Sequence, residues 1–488
     1  MNIATSKILN RIESLFHKSL KKDSYAISKV KAKSFLMWNR FDLAFKLLFL
    51  DLISKNKKKA KEVYLEHIKA FTLNKFIEPG NPKKNSPQSF IDIFNSTYES
   101  IKNDGFSYNK SIIPISKNKT IINGSHRVAS SIHLKKSLFC LEIEEKEPVY
   151  DHQFFSQRKV PIDLLDEAAL KFINYADNIY MALLWPSSKS SKKDQINFFP
   201  NAVYVKNIKL NINGFNNLIS QIYFKEEWLG DKRNNYIGLK NKAIKCFKKN
   251  SLLRIILFQC ESISSVNILK RNVRKFYGIG KHSIHITDKK EEVIRNSQIL
   301  LNKNSIHFLN HARDFKFIEY YNLIEVIKLQ LKYKKIENDD FILTGSTILS
   351  LYGLRRNQDF DFLCSSNKKI FNDKKFNNHK KQLKFYSNGL EDLLYDPKNF
   401  FFFNGLKILS FKNIYSMKLA RSETKDIYDY KMMRAFLDHD TFSHKFYLLI
   451  QYLLYIKVYL SSFVYNLLNF FGFVPIIKKI IIFFKNKK

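Results

Sequence analysis

"LTGSTILSLYGLRRNQDFDFL", residues 343–363, decides how the C-terminal part of this chain is read. "FILTGS" reads as an extended segment turning into the short apolar helix "STILSLYG", and "DFDFLC" then alternates acidic and apolar residues. On a strand, that alternation puts Asp359 and Asp361 on one face and Phe360 and Phe362 on the other. Gly345 permits a close backbone approach, and Ser346 offers a hydroxyl and amide donors to a phosphate at a helix start. Two adjacent carboxylates repel each other unless a cation neutralises them. Mg²⁺ (or Mn²⁺) suits the position, because it combines carboxylate oxygens with substrate phosphates.

Ser346 and Asp359 are separated by 12 residues, and the Asp-x-Asp sits between hydrophobics. This pattern resembles the nucleotidyltransferase fold of the DNA polymerase β type, over about residues 335–435. The resemblance implies that Gly345 and Ser346 hold a nucleoside triphosphate, with Arg356 of the "GLRR" lead-in beside them. It further implies that Asp359 and Asp361 are catalytic metal ligands. A third catalytic carboxylate is expected on a neighbouring strand, in "LEDLLYDP" (390–397), where Asp392 is chosen over Glu391 and Asp396. Downstream, strand-like "LKILSF" leads into a helix carrying Lys418, Arg421, Lys425, Asp426 and Asp429. In the family, such basic residues face the nucleotide and the acids brace them, so Lys418 and Lys425 join the expected nucleotide site.

A second constellation lies at "IIPISKNKTIINGSHRVASSIHL" (112–134). An amphipathic helix ended by Gly105 precedes it. A strand, an Asn-rich turn and a second strand then lead into Gly124-Ser125-His126-Arg127 and a helix. Ser125, the turn amides and Arg127 could hold a phosphate at that helix start. The segment resembles the ParB/sulfiredoxin superfamily over about residues 88–145, which implies nucleotide binding by Gly124, Ser125, His126 and Arg127. Sulfiredoxins carry a catalytic Cys where this chain has Ser125, which argues against sulfinic-acid reduction. No helix-turn-helix of the ParB kind follows.

The whole chain has 488 residues, with 83 Lys+Arg against 44 Asp+Glu and a formal net charge of +39. That surplus favours anionic partners. Much of it is Lys accompanied by Asn, Ile and Phe, as an AT-rich genome would produce, so nucleic acid ranks below other partners. Four scattered cysteines without a CxxC pair read as reduced residues of a cytosolic protein. His282, His285, His307 and His311 read as structural or surface residues. Asp288, with Glu291 three residues on, reads as a capping box. Near the C-terminus, "VYLSSFVYNLLNFFGFVPII" gives 20 uncharged residues, followed by "KKIIIFFKNKK". That suits an anionic membrane surface, a span or a buried helical pair.

The expected class is therefore α/β (α+β) and multi-domain: a helical N-terminal region (1–80), a ParB/sulfiredoxin-like module (81–150), an unassigned α/β domain (151–330), a nucleotidyltransferase-like domain (331–438) and a hydrophobic basic tail (439–488). The expected function is Mg²⁺-dependent transfer of a nucleoside monophosphate from an NTP to a hydroxyl or phosphate of a small molecule or glycan. The expected location is cytoplasmic, with a peripheral position at the inner membrane face left open by the tail. Three alternatives stand beside it: a nucleotide-sensing regulatory protein with a degenerate transferase domain, a toxin-like nucleotidyltransferase, and kinase chemistry at the Gly124–Arg127 turn.

Overall fold

The apolar runs of the sequence fold into four small sheets wrapped by helices, as seen in a computed structural model describing residues 2–313 and 315–475. Helices make up 56% of it, so the mixed helix-and-sheet class holds. The first sheet pairs β1 (Asn2–Ala4) with β2 (Ser24–Ala26). The second has the order β3-β5-β4, from β3 (Ser28–Lys31), β4 (Ile113–Ile115) and β5 (Ser137–Glu142). The helical N-terminal region expected over 1–80 is thus corrected. Helices do occupy Asp42–Leu52 and Lys57–Thr72, but the first forty residues carry three short strands. β3 pairs antiparallel with β5, so the N-terminal region supplies an edge to the sheet beside the Gly124 turn.

Helix Asp42–Leu52 is buried on nearly every side and packs against Lys57–Thr72, Ser125–His133 and Ile162–Tyr175. Its two buried charged residues, Asp42 and Lys46, pair with each other, and Asp42 also pairs with Arg40. Asp42 meets the Arg40 guanidinium at 2.8 Å and the Lys46 ammonium at 3.0 Å. Burial alone would raise the Asp42 carboxyl, but those cations hold it well below the usual range.

The third sheet has the order β7-β8-β6-β9, all antiparallel: β6 (Ile179–Leu184), β7 (Ala202–Ile208), β8 (Leu253–Gln259) and β9 (Ile284–Ile286). Strand β8 in "LLRIILFQC", strand β9 in "HSIHIT" and the basic helix Ile263–Tyr277 between them are present. The capping box at Asp288 is not. Helix Lys290–Leu300 has Lys289 at its cap, and Glu292 instead accepts the Asp288 N–H at 3.1 Å.

The fourth sheet has the order β12-β11-β10-β14-β13, from β10 (Phe341–Thr344), β11 (Phe360–Cys364), β12 (Phe376–Asn378), β13 (Phe400–Phe403) and β14 (Leu406–Leu409). The single helix expected after β14 is two, Phe411–Arg421 and Thr424–Leu437, broken where Ser422 adopts φ 50°. Beyond them runs Thr441–Phe470, a 30-residue helix long and apolar enough to cross a membrane. Only His444 and Gln451 of it are buried. The "KKIIIFFKNKK" stretch (478–488) lies outside the described residues.

Candidate functional site

Asp359 and Asp361 flank the start of β11, and the β10–β11 pairing sets Asp361 opposite Thr344. The next residue, Gly345, turns the chain with φ +65°. A Cβ there would lie 2.0 Å from an Asp361 carboxylate oxygen. Only glycine accommodates both the left-handed backbone and that contact. Ser346 begins the short helix Thr347–Leu351, and its hydroxyl makes no capping bond. Phe360 and Phe362 point the other way, stacking on Phe376 and Phe341 with ring centroids 5.3 Å apart in each pair. The alternation expected from "DFDF" is therefore realised.

Gly345→Ala should cost about 1–2 kcal/mol from backbone conformation alone and displace the Asp361 carboxylate besides. Urea unfolding measures the first effect, and titration of metal binding the second.

Asp361 is 8% exposed. Burial, then the neighbouring Asp359 charge, pushes its carboxyl up to about 7, against the opposing pull of Lys418, Arg421 and Lys425. One of its oxygens lies 3.2 Å from His379 Nε2. That imidazole is held down at about 4 by burial and by Arg421, Lys418 and Lys425, so it is neutral at pH 7. Its other nitrogen, Nδ1, is buried without a hydrogen-bond partner. Asn377 donates to Asp359 Oδ2 at 3.1 Å. Asn357 donates to the Asp359 carbonyl at 2.7 Å and accepts from the Tyr320 hydroxyl, also at 2.7 Å.

Behind the pair lies a buried ionic cluster. Arg355 grips Asp429 with two bonds of 2.6 and 2.7 Å. Lys418 bridges Asp426 at 2.9 Å and Asp429 at 2.7 Å, and Arg421 closes on Asp426 with bonds of 2.6 and 2.8 Å. The acids do brace the bases, as expected. Lys418 itself, however, is 3% exposed and engaged by both carboxylates. Its ammonium is not free to hold a phosphate, which corrects that assignment. Lys425 is exposed beside Glu423, and Arg356 is exposed on the wall of a cleft of about 1040 Å³. Those two cations remain available to a ligand.

Asp392 is the clearest correction. It lies on helix Leu390–Tyr395, where its carboxylate accepts from Asn56 at 2.8 Å. The strand beside β11 is β12, which pairs parallel and places Asn377 opposite Asp361. On the two strands beside β11 the residues opposite Asp361 are Thr344 and Asn377, neither a carboxylate, and His379 follows two residues after Asn377. "FNNH" is too short and too polar to read as a strand, so nothing in the sequence announced it.

The Gly124–Arg127 turn opens onto a polar cleft of about 360 Å³ whose walls include Arg11, Glu13, Lys84 and Lys110. Gly124 starts helix Ser125–His133 at φ +92°, and Arg127 donates to the Ser111 hydroxyl. Ser125 is part-exposed on the cleft wall. His126 also lines that cleft, half-buried, with its ring hydrogen-bonded to the Tyr64 hydroxyl at 2.8 Å and packed on Phe94 at 4.7 Å. Burial, then surrounding cations, holds its ring well below the usual histidine range. It is a wall residue of the core. His126→Ala should therefore lower stability by about 1–3 kcal/mol, read as a shift in the urea midpoint at an unchanged slope.

No family model, curated protein or solved structure matches this chain. His307 and His311 stack on one helix at 4.2 Å, and among the described residues no group of three or more His, Cys, Asp and Glu side chains could hold a metal.

Proposed function

We propose that the chain is a divalent-cation-dependent nucleotidyltransferase whose centre is Asp359 and Asp361. One observation carries the proposal: a glycine turn pressed against a buried carboxylate whose acidity is suppressed by a second carboxylate beside it. Such a pair is short of positive charge. Mg²⁺ or Mn²⁺ fits that shortage, and because two carboxylates are too few to hold it alone, substrate phosphates would complete its coordination. When bound, the cation would neutralise the triphosphate and stabilise charge on the departing pyrophosphate.

The chain's own residues support the rest. The Gly345–Ser346 turn offers a hydroxyl and amides to the phosphates. Arg356 and Lys425 supply exposed charge at the rim, and the Arg355–Asp429–Lys418–Asp426–Arg421 cluster holds the framework in place. The acceptor hydroxyl would add to the α-phosphorus, the bond to pyrophosphate would break, and the proton would leave to solvent. The 1040 Å³ cleft beside Arg356 leaves room for a small-molecule or glycan acceptor. For the exposed apolar helix Thr441–Phe470, the proposed partner is an anionic membrane surface, with the protein on its cytoplasmic side.

A second function, nucleotide sensing without transfer, is favoured by one observation: neither strand beside β11 sets a carboxylate opposite Asp361. Incubation with α- and γ-labelled NTPs, Mg²⁺ and a metabolite extract separates the two. Transfer of α-label that EDTA abolishes supports the transferase. Nucleotide binding with no transfer of either label supports the sensor.

A further inference from the structure

The third sheet forms a second concave surface, remote in sequence from Asp359 and Asp361. A cleft of about 670 Å³ opens where edge strand β9 meets helices Ile237–Cys246, Ile263–Tyr277 and Lys290–Leu300. Eight Lys and Arg residues line it against four carboxylates. Two of those acids are already committed, Asp288 to Lys270 at 2.8 Å and Glu292 to His285 at 2.9 Å. Among the described residues, Lys242, Lys245, Arg274 and Lys281 have no carboxylate within ion-pair distance.

Two guanidinium nitrogens, Arg274 Nε and Arg295 Nε, are buried there without a hydrogen-bond partner. Among the described residues neither guanidinium has a carboxylate within ion-pair distance, and Arg295 Nη2 donates only to the Ile222 carbonyl at 3.1 Å, so an anionic ligand is what would balance their charge. The surroundings register the same surplus. Burial holds the Lys242 ammonium below its usual pKa, and the His282 ring is held down by burial and by Lys242, Lys245 and Lys281.

The wall is also shaped for a flat ring. Trp228 is 44% exposed at the mouth and meets Tyr223 edge-on at 5.2 Å. Gly238 packs so closely beneath that a Cβ would lie 1.8 Å from the Trp228 carbonyl oxygen, which fixes the loop. His285 is fixed between the Tyr223 hydroxyl at 3.0 Å and Glu292 at 2.9 Å. The wall therefore exists before any ligand arrives.

We propose that this cleft binds a nucleoside polyphosphate, its phosphates on Arg274, Arg295, Lys242 and Lys245 and its base stacked on Trp228. The volume lies within the range of small-molecule sites, and one base–aromatic stack contributes about 1–3 kcal/mol. The site is independent of the two-aspartate centre.

The test uses the full chain in EDTA, which removes any metal-borne binding at Asp359 and Asp361, with ADP and inorganic pyrophosphate as calorimetric probes. Lys242→Gln/Arg274→Gln should weaken both probes at least about tenfold. Trp228→Leu should weaken ADP about tenfold and leave pyrophosphate unchanged. Asp359→Asn/Asp361→Asn should change neither. Should the double cleft variant fail to fold by circular dichroism, the exposed Lys245→Glu replaces it with the same expected direction. Wild-type affinity for ADP in the folded cleft variants would overturn the site. So would absence of ADP binding to wild type at about 1 mM. Equal loss of both probes in Trp228→Leu would overturn the nucleotide assignment.

Discussion

Asp361→Asn will abolish transfer of α-labelled nucleotide while the protein stays folded. The carboxylate sits under the Gly345 turn and beside Asp359, where burial and like charge make its ionised form costly. A bound cation relieves that cost, and the amide that replaces the carboxylate would bind the cation far more weakly. Loss of several kcal/mol of transition-state stabilisation corresponds to about 10³-fold in rate. Asp359→Asn should behave in the same direction. Stability supplies an independent readout in metal-free protein. Asp361 titrates near 7 in the folded state against an ordinary 3.8. The folded state therefore holds the proton more tightly, and this contribution to stability is lost as pH rises from about 4 to about 7. Asp361→Asn should flatten that slope and leave the variant more stable than wild type at pH 8. A variant that transfers nucleotide at the wild-type rate would remove this carboxylate from the chemistry.

The second large effect is structural. Asp429→Ala should destabilise the protein by about 3–5 kcal/mol. Asp429 is fully buried and receives Arg355, Lys418 and the Gln451 amide, the last at 3.2 Å. Removing it leaves a guanidinium short of both its carboxylate bonds and an ammonium held by Asp426 alone. Lys418→Met/Asp429→Ala should lose less than the sum of its parts, because the Lys418–Asp429 contact is then counted once and no Lys418 ammonium is left short of a partner. Urea denaturation of the single and double variants reads both outcomes. A loss under about 1 kcal/mol for Asp429→Ala would mean that water reaches and solvates the cluster.

The centre's first half was legible because local rules govern it. The acid–apolar alternation of "DFDF" and the turn at Gly345 follow from period and backbone conformation, and the bracing of Lys418 and Arg421 by Asp426 and Asp429 is what the resemblance implied, whereas the Arg355–Asp429 pair emerged only from the structure. The other half depends on which strands lie side by side. Asn377 and His379 reach the aspartates only because β12 pairs parallel to β11, and a three-residue strand has no periodicity to betray it. Asp392 drew attention as an acid at a plausible distance, yet its segment folds as a helix whose carboxylate serves Asn56. The opening forty residues failed for the same reason: β3 is a strand because β5 offers it an edge. Beside the third sheet the cationic cleft gathers residues from four separate stretches between 222 and 295, which no window along the chain would collect.

The helix Thr441–Phe470 carries a consequence of its own. At 1.5 Å per residue its 30 residues extend about 45 Å. It is fastened near its start, where Gln451 bonds both the Lys425 carbonyl and the Asp429 carboxylate. Asp429 is the same side chain that anchors Arg355 and Lys418 behind the aspartates. The outer half thus works as the arm of a compass whose pivot is the ionic cluster. Whatever surface holds that arm also fixes the bearing of the two aspartates, so acceptors would be selected by where they lie as well as by what they are.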